Sequence, residues 1–558
     1  MADITSEPVP LTPSVRHRFY EPVVFLFCII AANFKNRTTR TPDLETDDGK
    51  SPTDSFRCFV NKLGQICDSE RGGDTITAFA VLQPGMIEYR FASNSRDRNA
   101  LNRVKKYVIK ILRMLGDASN EELKTSDLSR HASVFSVVLR TILAFNWPRI
   151  ELHIAALKQQ FGFCADACRL DESEEANSAL QGIIRLEHAV GRLSEKRTDE
   201  DDNSKVAEEA LGLLQTIHEL YQSPFAEFLR EKARQDRDVD NDSPWTELRH
   251  AMGRLYSYYI TVKVLVATRK RRPQLFDDFE VNFVPSSGPG ETPSMRRNTS
   301  GIASRMTSNT AKREAIIRYV DHLKRRGIDV DKDLKDKTQP RCFQPIVHAE
   351  VNLLDSILRE ERESDERTRF YGEGDFGRYI GCSKPTCRLC GLYFQFHPSA
   401  GVDVRPSHQN LYYKWRAPDV YEHDGLGAER TSILEKMLNA IREENFRVIQ
   451  DQAPVRKRHD SHTSPSNPSE LFSTRATRMD DVVSSFERVD LSSVTEVDDV
   501  EERSESSGPR ESLEFSTGTV AAAITAAAGG LKTWSRNQRV HTVIDEDEDG
   551  GDDGGAKL

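Results

Sequence analysis

His348-Ala349-Glu350 and, further on, Pro385-Thr386-Cys387-Arg388-Leu389-Cys390 form the one pattern in this chain whose residue types and spacing together specify a chemistry. A histidine and two cysteines can hold zinc, and a nearby glutamate can move protons beside it. Structural zinc sites usually close with four protein ligands. Three ligands plus an unliganded acid leave a fourth position for water, the arrangement of a catalytic site. On this reading His348, Cys387 and Cys390 are the zinc ligands and Glu350 is the catalytic proton carrier. Cys387 and Cys390 are three apart at the start of a helix expected over 386–397. That puts both sulfurs on one face near the positive end of the helix dipole, where thiolates are favoured. Ser383 is the expected cap, and Pro385 suits the first turn. Glu350 lies two residues beyond His348, on the opposite side of a regular helix, so the two share a site only at a helix end. Two helix starts must therefore converge.

Outward from this motif the pattern alternates. A helix carries His348, Val351, Leu354, Ile357 and Leu358. A strand follows at Arg378-Tyr-Ile-Gly-Cys382, then the cysteine helix, then a strand at Val402-Asp-Val404. Alternation of this kind implies a sheet covered by helices. A last amphipathic helix is expected over 433–448. Upstream, Phe56, Phe59, Val60, Leu63 and Ile66 recur at helical spacing until Gly72-Gly73-Asp74. Ile76-Thr-Ala-Phe-Ala-Val-Leu82 and Ile87-Glu-Tyr-Arg-Phe91 then read as a hairpin across Gln83-Pro84-Gly85-Met86. It is the only clear strand pair expected before residue 375. Between 99 and 272 the periods are helical, as in Val104, Tyr107, Val108, Ile111, Leu112 and Leu115. The acidic stretch 194–203 reads as a surface link, and 284–310 as unstructured.

The constellation resembles the zinc-dependent nucleotide and nucleic acid deaminase superfamily, with its His-x-Glu and Pro-Cys-x-x-Cys signature. More narrowly, Ile380-Gly-Cys-Ser-Lys-Pro-Thr-Cys-Arg-Leu-Cys390, Val404-Arg-Pro-Ser-His408 and Tyr412-Tyr-Lys-Trp-Arg416 look like a poorly characterised, mostly fungal family of deaminase-like proteins. The superfamily motif covers residues 345–420. The resemblance implies a cytidine deaminase-like fold and Zn2+ on His348, Cys387 and Cys390. It further implies a zinc-bound hydroxide that attacks a nucleobase while Glu350 shuttles the proton and ammonia leaves. In one respect the chain departs from the signature, since Thr386 separates Pro385 from the first cysteine. That leaves Cys382 as a candidate alternative ligand. The family fold begins with a helix and a hairpin ahead of the His-x-Glu helix, so residues 56–95 are expected to be the first part of the core, with a large helical insertion after them. Candidate substrate contacts are then Asn94, Ala349 and Trp415.

The expected organisation is an N-terminal segment with one apolar helix (1–55) and the helix and hairpin (56–95). A helical module (96–336) follows, then the zinc core (337–449) and a disordered acidic tail (450–558). The fold class is an α/β deaminase-like core, a mixed sheet flanked by helices, with an all-α module. Of the 558 residues 37% are hydrophobic and 30% charged, a globular composition diluted by polar segments. The net charge of -10 owes much to Asp545-Glu-Asp-Glu-Asp549. Residues 341–420 carry eleven basic and eleven acidic side chains, which neither supports nor excludes a polyanionic ligand. Nine cysteines, an odd number, do not suggest a secreted disulfide framework, and the zinc site needs free thiolates, so an intracellular location, cytoplasmic or nuclear, is expected. Val23-Val-Phe-Leu-Phe-Cys-Ile-Ile-Ala-Ala32 reads as a buried helix. The alternative, a signal or anchor, is opposed by Glu21-Pro22 and by the run's short length, so no membrane is expected.

Other groupings have plainer explanations. Cys164, Cys168 and His153 read as buried helix residues, and Tyr412, Tyr413 and Trp415 as packing. His397 and His408 read as capping or surface residues, and Arg456-Lys457-Arg458-His459 as a solvated charge run. Two rivals remain to the deaminase reading. One is an interaction scaffold whose helical module binds a protein partner and whose zinc is structural; the other is a zinc hydrolase acting on a non-nucleotide amide or amidine.

Overall fold

The computed structural model describes residues 8–32, 37–38, 51–124, 132–193, 202–237, 244–397, 401–451 and 457–458. The expectations for 459–558, and for most of 194–203, fall outside the described residues. The architecture is mixed, with a five-stranded sheet between two layers of helices. In chain order the helices are α1 (Pro13–Ala32) and α2 (Pro52–Cys67), then α3 (Arg98–Gly116), α4 (Val134–Phe145), α5 (Trp147–Leu170), α6 (Glu174–Gly191), α7 (Asp202–Tyr221), α8 (Phe225–Arg237) and α9 (Pro244–Arg271). They continue with α10 (Gln274–Asp277), α11 (Thr299–Met306), α12 (Thr310–Arg325), α13 (Val330–Lys337), α14 (Ala349–Ser364), α15 (Glu373–Phe376), α16 (Arg388–Phe396) and α17 (Gly427–Asp451).

The strands of this sheet are β1 (Thr77–Leu82), β2 (Ile87–Ser93), β3 (Phe279–Val284), β4 (Tyr379–Cys382) and β5 (Asp403–Val404), in spatial order β3-β2-β1-β4-β5. Arg37–Thr38 pairs parallel with Lys457–Arg458 as a separate two-stranded sheet, so those two residues of the tail expected to be disordered are paired. The hairpin β1–β2 pairs Thr77 with Ser93 and Leu82 with Glu88. β1 also pairs antiparallel with β4, Ala78 opposite Cys382 and Phe79 opposite Gly381, so the early hairpin and the strand leading to the cysteines share one sheet. β1 is buried throughout, and its side chains divide by the period of two that a strand imposes. Phe79 and Val81 join the core shared with α2 and the helical module, whereas Ala78, Ala80 and Leu82 join the core shared with α1, α14 and α17.

Why α2 lies so close to the sheet is visible at two glycines. A Cβ on Gly64 would stand 2.6 Å from the backbone N of Ser383 and the carbonyl of Thr77. One on Gly381 would stand 2.8 Å from the backbone of Asn61. Only hydrogen fits at either place, and that contact sets the height of β4 and of the loop that carries the cysteines. Ser51 caps α2, its hydroxyl accepting from the Asp54 N–H at 3.0 Å, with Pro52 in the first turn. The apolar run 23–32 is a buried helix, Val23, Phe25, Leu26 and Ile29 being under 2% exposed, and no described helix is long and apolar enough to cross a membrane.

Two expectations are corrected here. The hairpin is not the only strand pair before residue 375, because β3 runs parallel to β2 from Ile87–Phe279 to Ala92–Val284. Nor is 284–310 without structure. Asn298 caps α11 through the Gly301 N–H, and residues 285–297 form an extended strap tied to the rest of the fold. Ser286 Oγ donates to Ser93 O at 2.8 Å, Gly290 N donates to Pro345 O at 2.7 Å, and Arg416 donates to Gly288 O at 2.9 Å. Proline, serine and glycine exclude a regular period; they do not exclude order once tertiary partners take up the backbone groups.

Candidate metal centre

The two helix starts meet. His348 is the N-cap residue of α14, with extended backbone, and Cys387 is the N-cap residue of α16. His348 Nδ1 lies 3.5 Å from Cys387 Sγ and 3.3 Å from Cys390 Sγ. These three ligand atoms lie within 4.8 Å of one another, the only such group of possible metal ligands among the described residues. A tetrahedral zinc with metal–nitrogen bonds of about 2.0–2.1 Å and metal–sulfur bonds of about 2.3 Å sets nitrogen–sulfur edges near 3.6 Å. The observed separations, and the soft nitrogen–sulfur donor set, fit that ion.

The departure at Thr386 is absorbed locally. Thr386 is extended and buried, bridges to Ser407, and accepts the His408 N–H at 3.1 Å. The helix therefore starts two residues later than expected. Cys387 caps it in place of Ser383, its sulfur accepting the Cys390 N–H at 3.4 Å. Ser383 Oγ instead accepts from Thr77 N at 3.3 Å. Cys382 sits at the end of β4, buried, its N–H donating to Asn61 Oδ1 at 3.2 Å, and is not one of the three clustered ligands.

Charge in the cluster follows from burial and contact. Burial raises both thiols, but at Cys387 the hydrogen bond from Cys390, the attraction of His348 and the Cys390 N–H prevail and hold it well below the usual range. Cys390 is pushed well above it, by burial and then by the neighbouring Cys387 charge. Burial opposes the charged form of His348, yet Cys387 and then Glu350 outweigh it and raise its pKa. A dication at this point would let both sulfurs ionise together.

Glu350 is 3% exposed, and burial raises its pKa above the usual carboxylate range. Its Oε2 is buried with no hydrogen-bond partner. Asn94 lies at the same helix start: Oδ1 accepts the Ala349 N–H at 2.7 Å and Nδ2 donates to Gly73 O at 2.8 Å, across 255 residues of sequence in the first case. Ala349 is fully buried with its N–H engaged by Asn94. Trp415 is 0% exposed and packs between Phe19 and Tyr393, ring centroids 6.0 and 5.9 Å away, and its backbone bridges to Ile346. Tyr412 is partly buried, its ring centroid 6.4 Å from that of His348.

Three supporting residues went unread in the sequence. Ser287 on the strap accepts the Val347 N–H at 3.2 Å, one residue before His348. Arg405 is buried and donates to the carbonyls of Cys382 and Ser383, both at 2.9 Å, holding the loop that leads to the cysteines; burial lowers its pKa to about 9. Asn61 accepts from both Tyr379 Oη and Cys382 N. None carries a local signal, since each acts on a segment distant in sequence.

Residues 347–419 match the family model described as OTT_1508_deam-like deaminase. No curated protein and no solved structure matches the chain. The segment that holds all three clustered ligands and Glu350 is thus deaminase-like, and its His/Cys/Cys group can bind a metal ion.

Proposed function

We propose that the chain is a zinc-dependent hydrolytic deaminase whose substrate is a nucleobase carried on a nucleotide or a nucleic acid. The observation that carries this reading is His348 Nδ1 set 3.5 and 3.3 Å from two cysteine sulfurs, in a segment that matches a deaminase model. Bound by His348, Cys387 and Cys390, zinc supplies Lewis acidity, which brings the pKa of water to about 7. Glu350 moves the proton. Its buried Oε2 has a free lone pair, and a carboxyl raised toward working pH is suited both to take a proton and to return it. In the balanced reaction a water oxygen bonds to the carbon bearing the amino group, Glu350 takes the water's proton and hands it to the amino nitrogen, and the C–N bond breaks with loss of ammonia. Asn94 and Ala349 mark the helix start along which the substrate approaches.

The test is metal content together with ammonia release from nucleosides, nucleotides, single-stranded DNA and RNA, for the wild type and Glu350→Gln. Zinc in both proteins and ammonia only from the wild type is the expected result. Full zinc loading with no ammonia from any of these substrates would overturn the reading.

A further inference from the structure

Two of the cations beside the cysteine loop are committed. Arg405 donates to the carbonyls of Cys382 and Ser383, and Arg388 pairs with Glu444 at 3.3 Å. Lys384, in the loop itself, is only 8% exposed, yet its ammonium has no acceptor and no carboxylate partner among the described residues. Lysine is almost never this buried unless paired. Its Nζ is not among the fully enclosed side-chain atoms that lack a partner, so the stem is covered while the charge keeps an opening.

Lys384 stands between two residues tied to the candidate metal centre. Two residues earlier, the Cys382 thiol is raised by burial and then by the charge of Glu350, and its sulfur accepts the Lys384 N–H. Three residues later comes Cys387, its Sγ 3.5 Å from His348 Nδ1. At no more than about 3.6 Å per residue, the Lys384 and Cys387 Cα atoms are at most about 11 Å apart. A sugar sets a separation of that order between a base and its 5′-phosphate. Charge favours a cation here as well. Two thiolates and the Glu350 carboxylate about one dication leave a net negative charge, which repels a phosphate unless a positive group stands near.

We propose, resting on the deaminase reading, that Lys384 holds the phosphate of the substrate. The chain then prefers a phosphorylated nucleoside, free or within a strand, to the bare nucleoside.

Calorimetric titration of the zinc-loaded full chain tests this with cytidine, adenosine and guanosine, their 5′-monophosphates, and short single-stranded DNA and RNA. The wild type is expected to bind a monophosphate or an oligonucleotide about tenfold or more tightly than the matching nucleoside, the usual worth of a charge-assisted contact. Preference for the monophosphates identifies a free nucleotide as the source, and preference for the oligonucleotides alone identifies a strand. Lys384→Met should lower the favoured affinity to that of the nucleoside with zinc content and circular dichroism retained, and Lys384→Arg should restore most of it. No preference in the wild type, or one that survives Lys384→Met, overturns the proposal; in the second case the stem only packs. Because the readout is binding, the two readings fail separately. A phosphate preference lost in Lys384→Met, with no ammonia from any of these compounds, upholds Lys384 as the phosphate contact and overturns the deaminase reading. Ammonia from all of them, with the preference intact in Lys384→Met, overturns Lys384 alone.

Discussion

Two polar centres, one buried and one half-buried, sit within three residues of each other, at Asn94 and Arg96, and are built on opposite plans. Arg96 is saturated: one nitrogen donates to Thr75 O, Thr77 Oγ1 and Ser93 Oγ, and another to Cys67 O and Ser69 Oγ. It locks the end of α2 to both strands of the hairpin. At the candidate metal centre, where Asn94 accepts the Ala349 N–H, His348 is shared between two sulfurs and Glu350 keeps one buried oxygen without a partner. Burying an unpaired oxygen costs free energy, so a fold that saturates Arg96 nearby would be expected to remove that cost unless the group had another use. Spare capacity, more than burial, separates the two centres.

The largest effect should come from Glu350→Gln, with ammonia release falling by about 10²–10⁴-fold, the usual worth of a general acid–base group. Zinc per chain, measured by atomic emission, should stay unchanged. If zinc were lost as well, Glu350 would be a structural partner and the contrast with Arg96 would vanish. For Arg96→Met, the orphaned acceptors predict a loss of about 2–4 kcal/mol in urea unfolding with zinc stoichiometry retained. A much smaller loss would mean that water replaces the guanidinium.

A third buried group sharpens the comparison from the helical module. Burial, then Arg254 and Arg149, holds His153 well below the usual histidine range. The folded pKa is depressed, so its stabilising contribution is complete above about pH 6.5 and is lost as pH falls toward the folded value. Unfolding free energy should drop by up to about 1.4 kcal/mol per pH unit in that window, and His153→Leu should flatten the slope in urea titrations at successive pH values. Part of the slope should remain, because His218 and His397 are depressed by burial as well. The smallest change is expected from Ser287→Ala. Losing the acceptor of Val347 N–H should cost about 1 kcal/mol, read as a lower Tm, with a weaker hold on zinc in chelator competition.

Much of the site was legible because its chemistry is local. His348 and Glu350, and Cys387 and Cys390, are near neighbours whose spacing survives any fold, and both pairs were expected at helix starts. The helix start at 388 was not legible, because Thr386 is drawn into an extended bridge by Ser407, a partner that no local pattern reveals. β3 was readable in principle, since Phe279-Glu-Val-Asn-Phe-Val284 alternates, but it is short and follows a long helical stretch. The strap was missed because its order comes wholly from distant partners.

By itself, then, the sequence determined the candidate donor residues, the start of the helix that follows His348, the hairpin, and the buried character of α1, all of which follow from residue type and short-range period. Only the tertiary structure decided the rest. It placed the hairpin beside β4 through the close contacts of Gly64 and Gly381, and set Asn94 on Ala349. It also turned Trp415 into the core. Those outcomes depend on which surfaces meet, and a chain with no readable long-range signal settles that only when it packs.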